Sequence, residues 1–295
     1  MSVLVVTLPA APDPDQAGWA LVEDGAILAE GAVRAGAGPD LPYGAAPDYA
    51  VALMPAECVF LRRVAVPGGS QRDARRAAPF LIEEQLGQAL ESVAVEIGPK
   101  QADGARHVLA VDADLREAWR RVAAGLGVKP LYAAPDAMVI PGHGADLAVY
   151  DLDGRVIVQT RAGDLNTDPD SAGSDRDVEA AAADWLIAGF ERELAGEILP
   201  ALSARVRPRR VIVSQDFDPA LTAPDDGPIA LKRVPAPDPR LCAAALPAGA
   251  FERLPAALGA GLASGFDWAA TLRPWRAAAG LAAPALLPLA GLTLV

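Results

Sequence analysis

The chain has 295 residues, 26 Lys and Arg against 38 Asp and Glu, and a formal net charge of −12. That balance excludes a nucleic-acid binder, which needs many basic phosphate contacts, and electrostatic adhesion to anionic lipid. Two cysteines and two histidines exclude a disulfide framework and a Cys-rich zinc site, and argue against a histidine-led site.

The N-terminal "SVLVVTL" is expected to be a buried first strand and not a signal peptide, because no positive region precedes it. "GWALVED-GAILAEGAV" is a hairpin turning at Glu23-Asp24-Gly25. "YAVALMP" and "CVFLRRVAVP" follow as strands. Ser70 then offers an N-cap to the helical "QRDARRAAPFLIEEQL", and Gly87 offers its end. On a helical wheel Ala74, Ala77, Ala78, Leu81, Ile82 and Leu86 share an apolar face, with Gln85 inside it and Glu83 and Glu84 outside. Pro79 is expected to kink this helix or start a second one, which would place the glutamates just past its first turn.

"SVAVEIG" and "RHVLAVDA" are strand-like. "DLREAWRRVAAGLG" is an amphipathic helix opening on Asp112 or Asp114, and "KPLYAAPDAMVIP" packs a strand back onto the sheet. Near residue 143 the pattern restarts with a hairpin turning at Asp151 to Gly154. An Asp-rich loop at 164–177 leads to an expected long helix, "VEAAAADWLIAGFERELAGEI", with Trp185, Leu186 and Phe190 on one face. The strands "RVIVS" and "GPIALKRVP" follow, then an Ala-rich helical stretch broken by prolines. The last segment, "AAAGLAAPALLPLAGLTLV" at 277–295, carries no charge. At ~1.5 Å per residue it matches the ~30 Å hydrocarbon core, and Trp268, Arg273, Trp275 and Arg276 stand at its edge. The order of elements is mixed α/β with two lobes, each a sheet with packed helices.

Motifs for chemistry are sparse. No P-loop, G-x-S-x-G elbow or H-E-x-x-H occurs. Asp151 and Asp153 admit a metal-binding D-x-D, but an Asp-Gly turn is the plainer reading. The Asp-rich loop lacks the Gly and terminal Glu of an EF-hand loop and reads as solvated. Arg205, Arg207, Arg209 and Arg210 would suit an acidic partner or lipid headgroups; the plainer reading is a solvated loop before a buried strand.

The stretch "VALMPAECVFLRRVAVPGGSQRDARRAAPFLIEEQL" at 51–86 resembles the signature region of the type II secretion system protein L family. Pro67, Pro79, Phe80, Glu83, Glu84, Gln85 and Leu86 carry the match, and it continues through "PDAMVIP". The resemblance implies an α/β, actin-like fold of two RNase-H-like lobes of mixed sheet, followed by a single transmembrane helix. The expected organisation is a first lobe at 1–142, a second at 143–265, a juxtamembrane connector at 266–276 and the membrane helix at 277–295. Family members continue into a periplasmic ferredoxin-like domain, which this sequence does not contain. The family implies a non-enzymatic scaffold of the inner membrane with its N-terminal region cytoplasmic. Its expected partners are the N-terminal domain of the secretion ATPase, the bitopic secretion protein M and a second copy of itself.

No catalytic residue, cofactor or metal is expected. The turn after the first strand, "TLPAAPDPDQ", has prolines where a nucleotide-binding member needs backbone N–H donors and glycine. The candidate partner-binding residues are Glu83, Glu84, Arg205, Arg207, Arg209 and Arg210. Two other readings stay open, a nucleotide-binding actin-like ATPase and a soluble pilus-assembly relative of the same fold.

Overall fold

The structure is a computed structural model, and it describes residues 1–11, 16–66, 70–160, 186–224 and 227–258. These belong to one compact unit, Met1–Gly259; a second unit, Ala260–Val295, lies outside the described residues, as do the expected connector and membrane helix and the Asp-rich loop. Among the described residues no helix is long and apolar enough to cross a membrane.

Two five-stranded sheets share one topology. The first comprises β1 (Ser2–Thr7), β2 (Gln16–Glu23), β3 (Ala26–Arg34), β4 (Tyr49–Met54) and β8 (Leu131–Pro135), in the order β3-β2-β1-β4-β8. Its first three strands are an antiparallel meander, and β4 and β8 add parallel to β1. The second sheet repeats this with β9 (Leu147–Leu152), β10 (Arg155–Thr160), β11 (Ile187–Glu191), β12 (Arg210–Ser214) and β13 (Ala230–Val234), ordered β11-β10-β9-β12-β13. The chain enters each sheet at its centre, so β1, β4 and β9 are near-continuous apolar runs while β3 and β13 are exposed edges. Both hairpin turns need left-handed backbone at two adjacent positions. Asp24-Gly25 (φ 48° and 80°) and Asp153-Gly154 (φ 53° and 89°) supply it, as the sequence led one to expect.

Between β4 and β8 the chain inserts a smaller antiparallel sheet of β5 (Val59–Ala65), β6 (Val93–Ile97) and β7 (Ala105–Asp112), ordered β5-β7-β6. Helix α1 (Gln71–Ile82) packs on it through Ala74, Ala78 and Ile82. The Ser70 hydroxyl caps α1 by accepting from the Asp73 N–H at 3.1 Å. Helix α2 (Ala113–Gly125) starts at Asp112, whose carboxylate accepts from the N–H groups of Asp114 and Leu115. A short helix, α3 (Asp136–Val139), follows β8.

Strand alternation divides the second sheet between two cores. Leu147, Val149, Val156 and Val158 face α4 (Ala195–Val206) and its neighbours. Ala148, Tyr150, Ile157 and Ile212 join the large core built on the first sheet. Two final helices, α5 (Pro239–Ala245) and α6 (Ala248–Phe251), also pack on that first core. Their attachment is specific: the Tyr49 hydroxyl donates to the Leu246 carbonyl at 2.8 Å, Arg240 pairs with Glu30 at 2.7 Å, and Phe251 stacks on Tyr132. So 239–258, which chain order assigns to the second lobe, returns to the first.

Three expectations need correction. The long helix at 178–198 is not formed over its described part: Ile187–Glu191 is β11, and helix begins only at Ala195. β10 offers an unpaired edge, and antiparallel bonding there with burial of Ile187 and Phe190 overrides local helix propensity. Trp185 lies outside the described residues. Second, α1 runs unbroken through Pro79, whose ring is buried beside Ala78 and Ile82; Glu83 and Glu84 therefore follow its C-terminus instead of opening a helix. Third, Gln85 is exposed, because the backbone tightens to a 3-10 turn at Glu83–Gln85 and rotates the residue off the apolar stripe.

Gly125 ends α2 where a β-carbon would lie 2.2 Å from the Ala37 carbonyl oxygen, a backbone atom with little room to retreat. Gly125→Ala is expected to cost about 1–3 kcal/mol, read as a lower urea midpoint; an unchanged midpoint would mean that the 35–38 turn yields freely.

Candidate functional site

A cleft of about 460 Å³ lies where the inserted sheet meets the second sheet. Its walls are the edge of β5 with the turn before it, the Leu86–Gln88 segment, and the start of β11. Its exposed surface is about equally polar and apolar, and Glu57 and Arg62 are its charged members. Burial lowers the pKa of Arg62, and the nearby Arg205 guanidinium lowers it further.

One ionic cluster joins the three parts of the fold beside this cleft. Glu57 lies in a 3-10 turn, Ala56–Cys58, that leads from β4 into β5. Asp136 follows β8 and is buried; its carboxylate accepts the Ala56 N–H at 3.0 Å. Arg155 begins β10 of the second sheet. Its guanidinium pairs with Asp136 and, through Nε at 3.2 Å, with Glu57. Burial raises the pKa of Asp136 and of Glu57, with Arg155 pulling both back. Burial also works against the charge on Arg155, but the two carboxylates more than offset it and its pKa is raised. β11 closes on the same turn. At Gly189 a β-carbon would stand 2.7 Å from a Glu57 carboxylate oxygen and 2.8 Å from the Glu57 nitrogen, so glycine is what allows the approach.

In the two turns that would hold phosphate in a nucleotide-binding protein of this topology, the described groups bond within the protein; residues 12–15 of the first turn lie outside the described residues. After β1, the Leu8 N–H donates to the Leu53 carbonyl at 2.9 Å, and Pro9 has no N–H. The Pro9 carbonyl accepts from Trp119 Nε1 at 2.8 Å, and the Ala10 carbonyl from the Cys58 thiol at 3.3 Å. In the second sheet, Asp151 accepts from the Gly154 N–H at 3.1 Å and pairs with Arg192 at 2.7 Å. Asp151 therefore shapes a turn, which supports the turn reading of the D-x-D pair.

The residues singled out by sequence fall in two places. Glu83 and Glu84 are exposed beyond the end of α1. Arg205, Arg207, Arg209 and Arg210 are exposed around the end of α4. Arg207 takes the left-handed C-cap conformation (φ 49°). The backbone N–H groups of Arg209 and Arg210 donate to Asp146 at 3.0 and 2.9 Å, which anchors the loop to the start of β9. Sequence reasoning missed the Glu57–Asp136–Arg155 cluster, whose members are separated by 79 positions from first to second and 19 from second to third. The only local signal was the Pro-Asp-Ala of "PDAMVIP".

Two sheets of the same 3-2-1-4-5 order, each a meander extended by parallel strands and sharing a core, define a mixed α/β fold of the actin-like class. The sequence narrows this further. The family model of type II secretion system (T2SS) protein L matches residues 16–175, more than half of the chain, and the chain belongs to that family. It is similar to the type II secretion system protein L of Pseudomonas aeruginosa, with 36% identity over 94 residues, covering 32% of this chain and 25% of that protein. The protein L of Klebsiella pneumoniae is 32% identical over 142 residues, covering 48% of this chain and 35% of that protein. These matches thus span about a quarter to a third of the length of the relatives. Among solved structures, the cytoplasmic domain of EpsL, an inner-membrane component of the type II secretion system of Vibrio cholerae, superposes with a TM-score of 0.54. Identity there is 18%, over 83% of this chain and 94% of that one, so this likeness speaks for the fold alone.

Removing the Arg155 charge leaves two carboxylates facing each other beside the cleft. Arg155→Leu is expected to cost about 2 kcal/mol, less than for a fully buried pair because the Arg155 side chain keeps 32% exposure. The loss should shrink on acidification. With folded carboxyl pKa values above their unfolded ones, the folded state binds the extra protons, so stability rises as pH falls from 7 toward about 5. Thermal melts of both chains across that range check the sign; a deficit that widens toward acid would refute it.

Proposed function

We propose that this chain is the cytoplasmic and membrane-anchoring part of an inner-membrane scaffold in type II secretion, and that it recruits the secretion ATPase. Membership of the protein L family carries the reading. The bonding of the described groups in the turns after β1 and at Asp151 supports a scaffold over a nucleotide enzyme, since the Pro9 and Ala10 carbonyls are held by Trp119 and Cys58 and Asp151 is committed to Arg192 and the Gly154 N–H. In this reading the uncharged segment at 277–295 anchors the chain as a single span with residues 1–265 in the cytoplasm. The bitopic protein M is its neighbour in the envelope. Glu83, Glu84 and the Arg205–Arg210 cluster are the candidate contact residues, being exposed charges held on defined secondary structure.

The full chain in detergent, immobilised, is expected to retain the N-terminal domain of the cognate ATPase at micromolar concentration, and to sediment with membranes after a high-salt wash. No retention would defeat ATPase recruitment, and release by salt would defeat the anchor. Calorimetry with ATP and Mg²⁺ is expected to show no binding heat; a saturable isotherm would restore the nucleotide-binding reading.

A further inference from the structure

The cleft beside the ionic cluster runs along two strand edges. β5 ends the order β5-β7-β6 and β11 ends the order β11-β10-β9-β12-β13, so each has a ladder partner on one side only. Among the described residues no backbone hydrogen bond joins β5 to β11. The cleft is lined by seven consecutive residues, 56–62, and by four more, 186–189. Side chains alternate across a strand, so a hollow on one face of a sheet would meet every second residue. An unbroken run belongs to a strand seen from its edge. The polarity agrees. Of the 16 lining residues, Glu57, Arg62 and Gln88 alone have a charged or amide side chain, yet the exposed surface is about half polar. That is the result when main-chain N–H and C=O groups also face the opening.

A strand edge selects its ligand. Another extended backbone presents N–H and C=O groups at the same repeat, and its alternate side chains need apolar walls. Phe60, Leu86 and Ile187 supply those walls here. Charge narrows the choice. At one end Glu57 is held by Arg155 at 3.2 Å. At the other, Arg62 has the Arg205 guanidinium for a neighbour, and the two like charges oppose each other. That end of the groove is therefore basic in a chain of net charge −12, and a carboxylate placed there meets two guanidinium groups at once. We propose that the groove between β5 and β11 binds an extended, apolar peptide segment of a partner protein by strand addition to β5, with an acidic residue of that segment against Arg62 and Arg205. Residues 59–62 span ~13 Å, so about four residues of the peptide fit along the edge. The cleft volume of about 460 Å³ is within the range of ligand sites. The proposal does not rest on ATPase recruitment.

Phage displaying random decapeptides, selected on the immobilised full chain in detergent, test this. Enriched peptides are expected to alternate apolar residues, to lack proline in that stretch and to carry Asp or Glu at one end. A fluorescent synthetic copy of an enriched peptide then reports affinity by anisotropy. Gly87→Trp is expected to weaken binding at least about tenfold by filling the cleft. A β-carbon at Gly87 would meet nothing within 4 Å, so the variant is expected to melt with wild type. Arg205→Glu, at an exposed position, is expected to weaken binding about threefold at low salt and less at high salt. N-methylation of the peptide, one amide at a time, is expected to abolish binding at alternate positions, because those N–H groups bond to β5. No enrichment, the outcome if a segment of this chain already fills the groove, overturns the proposal. So do enriched peptides that are basic, that bind Gly87→Trp as tightly as wild type, or that tolerate N-methylation throughout. The peptides are read without the ATPase, so loss of peptide binding and loss of ATPase retention are separate results.

Discussion

The placement of Arg155 between Glu57 and Asp136 is the constraint on which the arrangement of this chain depends. Each residue comes from a different part: the turn into the inserted sheet, the end of the first sheet, and the start of the second sheet's hairpin. Desolvating three ionised groups is expensive, and their mutual attraction recovers that cost only with good geometry. The geometry is supplied from outside the cluster, by the Ala56 N–H on Asp136 and by the bare Gly189 that lets β11 approach the Glu57 turn. A cluster so built contributes orientation more than stability. It fixes where the cleft wall stands and which face of β10 looks inward.

Other polar groups near the sheet ends are likewise bonded within the protein. The Pro9 and Ala10 carbonyls after β1 are held by Trp119 and Cys58, Asp151 by Arg192, and Glu57 and Asp136 by Arg155. The fold keeps its two repeated sheets while the polar groups that would serve phosphate serve the protein.

Much of this was legible in the sequence wherever the cause was local. The Asp-Gly pairs announced both hairpins because left-handed backbone at two adjacent positions is a local demand. Ser70 and Asp112 announced helix starts because capping spans three residues. β11 was not legible, because its strand state is decided by the vacant edge of β10. Nor was the ionic cluster, since Arg155 reads as part of an ordinary turn until the fold brings Asp136 to it. Glu83 and Glu84 were placed outward correctly, but Gln85 was misplaced: a wheel of 3.6 residues per turn cannot foresee a tightened final turn.

The return of α5 and α6 to the first sheet bears on how the chain can transmit force. Ala148, Tyr150, Ile157 and Ile212 of the second sheet lie in one core with β1, β4 and α5, and the chain after β13 closes over that core through Leu246 and Phe251. Opening the sheets against each other would expose this apolar surface at roughly 25 cal/mol per Å² and separate Arg155 from its carboxylates. A push on one sheet is therefore carried to the other, whereas a hinged pair of lobes would absorb it. The last described residues, 255–258, lie on this same body, so the described chain ends on the core that both sheets share.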